Sequence, residues 1–170
     1  MRDVEALGTA AGFDLVRWRD PELPEGLQVL IAEAVASGVG WIADFPQVWH
    51  ARPFLQAGEA LFLARASGRP VAMAVISADP YAVAPLTGRL RYIYVGAEAR
   101  SRGLLRVFVD AALDRAGSHW HRLRLHTDNP VAARLYESYG FRPSAYEDRS
   151  THFLDLPRIF ATEQERSINC

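Results

Sequence analysis

Residues Asn129 to Phe141 read N-P-V-A-A-R-L-Y-E-S-Y-G-F, and both ends of a helix are written into them. Asn129 is a residue whose side chain accepts from the orphan N–H groups of a first helical turn. Pro130 suits the first helical position, where its missing N–H forfeits no bond. Gly140 stands where a helix commonly ends in a positive-φ residue. Between them, Ala132, Leu135, Tyr136 and Tyr139 recur at i, i+3, i+4 and i+7, the apolar face of an amphipathic helix.

Working outward, "RLRLHT" (122–127) precedes this helix as a strand, and two short strands near "PSAYE" and "THFLDL" follow it. Upstream, "GLLRVFVDAALDRA" (103–116) reads as a helix stopped by Gly117, and "RLRYIYV" (89–95) as the strand before it. Residues 89–127 therefore form a strand–helix–strand crossover, which requires parallel strands. "EALFLARA" and "PVAMAVISA" are apolar strands joined by "SGR", a hairpin signal, and "PYAVAPLTG" is a loop. Nearer the N-terminus lie a short helix in the first dozen residues, a strand "FDLVRW" (13–18) and a helix "LQVLIAEAVAS" (27–37) ending near Gly38. The aromatic-rich stretch after it reads as a loop and a second helix to about Gln56. The resulting class is α/β (α+β): a mixed, mostly antiparallel sheet flanked by helices. One domain over 1–170 is expected, with 1–12 as an N-terminal extension and 157–170 as a polar tail.

Bulk properties narrow the function. Of 170 residues, 49% are hydrophobic and 23% charged, with net charge −1, so no global field favours nucleic acid or an anionic membrane. The 19 basic residues are all Arg, which codon bias accounts for. The single cysteine, Cys170, excludes a disulfide framework and a multi-thiolate zinc site. No apolar run reaches the roughly 18 residues a membrane span needs, and "MRDVEALGTAAG" lacks a signal-peptide pattern; a cytoplasmic location is the expectation.

The chemistry concentrates at Glu98 to Arg106, "EARSRGLLR". Gly103 permits close approach or a positive φ, and the first turn of the helix it opens leaves N–H groups from Arg102 to Arg106 for an anion. Arg100, Arg102 and Arg106 bring guanidinium groups, although cations oppose the dipole at a helix N-terminus. Taken alone, the stretch reads equally well as a phosphate cradle or a solvated connection. No G-x-x-x-x-G-K, G-x-G-x-x-G or G-x-S-x-G occurs.

Together, "VGAEARSRGLL" from Val95 and "NPVAARLYESYGF" from Asn129 resemble the GCN5-related N-acetyltransferase (GNAT) superfamily. There a strand leads into V-x-P-x-x-R/Q-x-x-G-x-G/A, and N-x-x-A-x-x-L-Y-x-x-x-G-F follows a strand later. The second motif matches at every defining position. The first departs at Ala97, in place of Pro, and at Leu105, in place of a small residue. The resemblance spans about residues 13–156 and implies that strands 89–95 and 122–127 splay apart around acetyl-CoA. Ile93, Tyr94 and Val95 would flank the pantetheine arm. Ser101, Gly103 and Leu104, with Arg100, Arg102, Leu105 and Arg106, would hold the pyrophosphate. Asn129 and Ala132 would touch the cofactor, though Asn129 has a cap's reason to exist. Tyr136 would protonate the leaving thiolate as general acid, or else be one more residue of the apolar stripe.

The reaction implied is acetyl transfer from acetyl-CoA to a primary amine of a small molecule by direct attack, with a backbone N–H near Val95 polarising the thioester carbonyl. The strand "RLRYIYV" carries no acid, so the general base is open among Glu59, Asp44, His126 and water held by Tyr92 or Tyr94. The pattern His119, His121 and His126 lacks the support a metal site needs, and no metal is expected. Trp41, Phe45, Trp49 and Phe54, with Asp44 as the one acid nearby, suit an apolar or aromatic amine. A homodimer is left open. Alternatives are a non-catalytic CoA-binding module and a peptide or protein N-acetyltransferase.

Overall fold

The computed structural model describes residues 3–147 and 149–157, apart from the side chains of Tyr146 and Glu147. The strands are β1 (Val4–Ala10), β2 (Phe13–Trp18), β3 (Ala60–Ala66), β4 (Arg69–Ala78), β5 (Thr87–Val95), β6 (Arg122–Leu125), β7 (Arg142–Glu147) and β8 (Ser150–Asp155). The helices are α1 (Leu27–Ala36), α2 (Phe45–Ala51), α3 (Leu104–Ala116) and α4 (Pro130–Ser138). The strands make one mixed sheet in the order β1-β2-β3-β4-β5-β6-β8-β7. Each neighbouring pair is antiparallel except β5 and β6. Phe108 and Val109 of α3 and Tyr136 of α4 sit in the core on one face, while Leu27 and Ile31 of α1 and Phe45 and Trp49 of α2 sit in the core on the other.

Three boundaries correct the sequence reading. The N-terminal segment is strand β1, not a short helix: it pairs with β2 from Val4–Trp18 to Ala10–Phe13. Ala11 and Gly12 turn the chain at φ 54° and 84°, and the free edge of β2 outweighs the local helix preference of Ala and Leu. Helix α2 stops at Ala51 rather than near Gln56. Arg52 precedes Pro53 and is driven to an extended φ of −156°, the steric consequence of the proline ring. Strand β6 ends at Leu125, two residues short of the expected limit. The tail expected over 157–170 lies, but for Pro157, outside the described residues.

Helix α4 keeps the limits its sequence declares. Asn129 Oδ1 accepts from the N–H groups of Val131 and Ala132 at 2.9 and 3.3 Å. At the other end Gly140 has φ 95°, and the N–H groups of Gly140 and Phe141 donate to the carbonyls of Glu137 and Tyr136. That pair of bonds is a Schellman ending, and its usual apolar contact is present: the rings of Tyr136 and Phe141 meet edge-on at 5.8 Å.

Two departures from regular pairing position the site. The parallel register of β5 and β6 runs through Thr87–Arg122, Gly88–Leu123 and Arg89–Arg124 and goes no further, so β5 continues to Val95 with its edge open. Within β5, Met73 of β4 faces Tyr94 while Val75 faces Arg91. Two residues, Tyr92 and Ile93, therefore oppose Ala74, which is a β-bulge, and Tyr92 takes φ 51°. The extra residue turns the rest of the strand over. Leu90 packs into the α3–α4 core and so do Ile93 and Val95, whereas Tyr92 and Tyr94 pack with α1 and α2.

Candidate active site

Between the diverging ends of β5 and β6 lies a cavity of about 880 Å³, ample for a ligand larger than a simple metabolite. Its floor and walls come from Leu90 to Val95 on β5, Leu125 to Asn129 after β6, Ala132 and Tyr136 on α4, Leu105 on α3, and Val39 and Trp41 from the loop before α2. Ile93, Tyr94, Val95, Arg100, Leu105, Asn129, Ala132 and Tyr136 thus meet at one cavity, as the sequence reading groups them.

The open edge of β5 has usable backbone. The N–H of Gly96 donates to the Val71 carbonyl at 2.8 Å, making Gly96 and Val71 a hydrogen-bonded pair. The adjacent pair Val95–Ala72 is then non-hydrogen-bonded, and the N–H and C=O of Val95 point away from β4. The Val95 carbonyl accepts from Arg100 Nε at 3.2 Å.

Beyond β5, Ser101 and Gly103 both adopt positive φ, 60° and 76°. The first helical bond of α3 runs from the Val107 N–H to the Gly103 carbonyl. The N–H groups of Leu104, Leu105 and Arg106 thus precede any intrahelical acceptor and stand at the positive end of the helix dipole. Leu104 is buried and Leu105 half-buried against the core, so neither side chain lies across the exposed loop. Ser101, Arg102, Gly103 and Arg106 are exposed and do not line the cavity.

The three arginines are not clustered on one point. The Arg100 guanidinium donates to Tyr94 Oη at 3.1 Å, and that hydroxyl donates to Glu33 Oε1 at 3.1 Å. Arg102 lies over the Phe13 ring at 5.2 Å, and Arg106 over the Tyr139 ring at 5.6 Å. Glu98 pairs with Arg69 at 2.7 Å, which holds its carboxyl below the usual range.

Tyr136 is 4% exposed and reaches the cavity wall from α4. Burial pushes its phenol well above the ordinary tyrosine value. The Tyr92 hydroxyl accepts from Arg91 at 3.0 Å and donates to Asp44 at 3.1 Å; burial raises this phenol too.

The Acetyltransferase (GNAT) family model matches residues 15–141, most of the chain. The chain belongs to the GNAT acetyltransferase family. A protein of Exiguobacterium sp. 255-15, provisionally assigned as an acetyltransferase, shares 24% identity at a TM-score of 0.71, covering 90% of this chain and 93% of that one. A GNAT phosphinothricin acetyltransferase from Sinorhizobium meliloti, solved with AcCoA, aligns at 15% identity and TM-score 0.64, covering 89% and 96%. An acetyltransferase of GNAT family from Staphylococcus aureus Mu50 aligns at 14% and 0.64, covering 85% and 99%. At these identities the likeness is one of fold. No curated protein matches the chain.

Of the base candidates in this GNAT chain, His126 lines the cavity, with Nε2 3.1 Å from Asp128 Oδ2. Asp44 reaches it only through the Tyr92 hydroxyl. Glu59 stands apart: its buried carboxylate is held by both Arg52 guanidinium nitrogens, at 3.0 and 2.8 Å, and by the Gln56 and Ala78 N–H groups. That is a structural anchor. The aromatic quartet divides as well. Trp41 is 57% exposed and lines the cavity, while Phe45, Trp49 and Phe54 are core. Sequence reasoning missed Arg89, Arg91 and Asp128 as lining residues. Strand alternation sets the first two on the face opposite Leu90, but no motif marks that side of the strand as a cavity wall. Among the described residues no group of three or more metal-ligating side chains converges, and no helix is long and apolar enough to cross a membrane.

Proposed function

We propose that this GNAT chain is an acyl-CoA-dependent N-acyltransferase, with acetyl-CoA as donor and the primary amine of a small apolar or aromatic molecule as acceptor. The observation that carries the reading is the divergence of β5 and β6 past Arg89 and Arg124, which leaves a cavity edged by an unpaired strand and by the N-terminus of α3. The residues present fit the donor. The outward N–H of Val95 and the neighbouring backbone of Ile93 and Tyr94 offer strand-like bonds to an amide-bearing arm. The N–H groups from Ser101 to Arg106, with Arg100, Arg102 and Arg106 around them, suit a pyrophosphate. Leu105 replaces the small residue of the motif without covering those amides. Ala132 and Asn129 close the side toward α4, with Asn129 also serving as the cap.

When bound, acyl-CoA supplies the acyl group as an activated thioester. The Val95 N–H is placed to polarise a carbonyl oxygen beside β5. Tyr136 holds a proton at its hydroxyl for a departing thiolate, and its raised pKa keeps that proton in place at neutral and mildly alkaline pH. The proton of the attacking amine passes to water or to His126, whose imidazole lines the same cavity.

The test is thiol release on mixing the chain with acetyl-CoA and a panel of small amines, with acetyl-CoA binding measured in parallel by calorimetry. Turnover with at least one amine supports the reading. Tight acetyl-CoA binding with no turnover across small amines and peptides would replace it with a non-catalytic CoA-binding module. The lack of any carboxylate on the strand stretch 89–95, RLRYIYV, is the observation that favours this second reading.

A further inference from the structure

The charged residues lining the cavity are Arg89, Arg91, Arg100 and Asp128, three cations against one carboxylate. Two of the cations are already engaged. Arg89 donates to Asp79 Oδ2 at 3.4 Å and to the Arg149 carbonyl, and Arg100 is held by Tyr94 and the Val95 carbonyl. Asp128 is exposed and sits against His126. Arg91 differs. Its guanidinium lies over the Tyr92 ring at 4.5 Å and the Phe54 ring at 5.8 Å, and its one hydrogen bond among the described residues goes to the Tyr92 hydroxyl, which donates in turn to Asp44. Among the described residues no carboxylate lies within ion-pair distance of it, although it is half-buried. A guanidinium carries five donors in a planar fork matched to a carboxylate, and most of these are unspent.

The bulge brings Tyr92 round to the side of the strand on which this cation already lies. Above the pair, Trp41 stands with its ring 6.4 Å from that of Tyr92, and it is the one large aromatic of its segment left exposed. A flat apolar wall next to an unpaired guanidinium describes the complement of a small molecule with an apolar body and an anionic end.

We propose that the amine acceptor carries a carboxylate, as an amino acid does, and that Arg91 receives it while Trp41 and Tyr92 cover the apolar part. The inference rests on the acyltransferase reading above and narrows its substrate class. A charge-assisted bond to a desolvated carboxylate is worth about 1.5–3 kcal/mol, or roughly 10- to 150-fold in kcat/KM.

The experiment pairs each of several apolar and aromatic amino acids with the amine that lacks only the carboxylate, and measures kcat/KM for acetyl-CoA-dependent thiol release. The expected result is a preference for the amino acid of at least about tenfold. In Arg91→Gln the preference collapses to within about threefold, and in Arg91→Lys, which keeps the charge, part of it returns. Equal use of both members of each pair by the unmodified protein, or an intact preference in Arg91→Gln, overturns the inference and leaves the acyltransferase reading standing. Should no amine of either kind react, that reading falls instead, and 3-phenylpropionate decides the anion site by itself. A rise in melting temperature with 3-phenylpropionate but not with its amide, lost in Arg91→Gln, upholds the site; its absence overturns it.

Discussion

Replacing Tyr136 with Phe removes one oxygen, and the surroundings of that oxygen say what it should cost. The ring is buried, packs edge-on against Phe141 at 5.8 Å, and sits on a helix whose last turn is tied by main-chain bonds. None of these contacts uses the hydroxyl, which makes no hydrogen bond to any described residue. Deleting an unpaired hydroxyl forfeits no bond, so stability should change by less than about 0.5 kcal/mol, or roughly 1–2 °C in Tm for a chain of this size. Chemistry should respond very differently. A general acid contributes about 10²- to 10⁴-fold, which at 1.36 kcal/mol per decade is roughly 2.7–5.4 kcal/mol of barrier. We therefore expect kcat for acetyl transfer to fall at least a hundredfold in Tyr136→Phe while acetyl-CoA affinity stays within a few-fold and Tm is unmoved. Thiol release, calorimetry and a melting curve measure the three quantities. A kcat within threefold of the unmodified protein would refute the acid role, and a Tm loss beyond about 4 °C would show that the hydroxyl makes a structural bond.

The other expectations concern the loop, the cap and alkaline pH. Asn129→Ala should cost about 1 kcal/mol, a few degrees in Tm, through the two lost cap bonds, whereas Asn129→Ser keeps the cap; weakened acetyl-CoA binding in the stable Ser variant would add a ligand contact to the cap role. Gly103→Val meets nothing within 4 Å at its Cβ but forces φ 76° on a β-branched residue. It should weaken acetyl-CoA binding more than tenfold, and unchanged affinity would remove the loop as the pyrophosphate site. Leu105→Gly strips a half-buried side chain and puts glycine in a helix, so Tm should drop by several degrees with affinity retained; lost affinity at intact Tm would contradict this. Finally, the phenols of Tyr92 and Tyr136 both have raised pKa values from burial. Their contribution to stability is complete below the ordinary value of 10.0 and is lost as pH rises past it, because unfolding then releases protons. Tm should decline above about pH 10, and less steeply in Tyr136→Phe; superimposable curves would refute the assignment.

What the sequence disclosed and what it withheld divide along a physical line. Asn129, Pro130 and Gly140 act on atoms within a few residues of themselves, so α4 and its Schellman ending could be read without any tertiary knowledge. The splay of β5 from β6 was reached only through resemblance, because no residue pattern states where parallel pairing will stop. The bulge at Tyr92 and Ile93 was not reached at all. Read as a plain strand, "RLRYIYV" sets Leu90, Tyr92 and Tyr94 on one face and Arg91, Ile93 and Val95 on the other. With Leu90 in the α3 core, one inserted residue instead sends Tyr92 and Tyr94 toward α1 and α2, the side on which Arg91 already lies, and returns Ile93 and Val95 to the α3 core. A non-glycine residue at φ 51° costs of order 1–3 kcal/mol, and local propensity gives no reason to accept it. The compensation is tertiary: the Tyr92 ring meets Phe45 edge-on at 4.9 Å, and its hydroxyl is fixed by Arg91 and Asp44. The strained residue thus joins the strand that would hold the donor to the loop that presents Trp41. The cavity wall formed by Arg91, Tyr92 and Trp41 is set by that junction and not by the motifs through which the family is recognised, so on the proposed reading substrate preference can change here while both motifs stay intact.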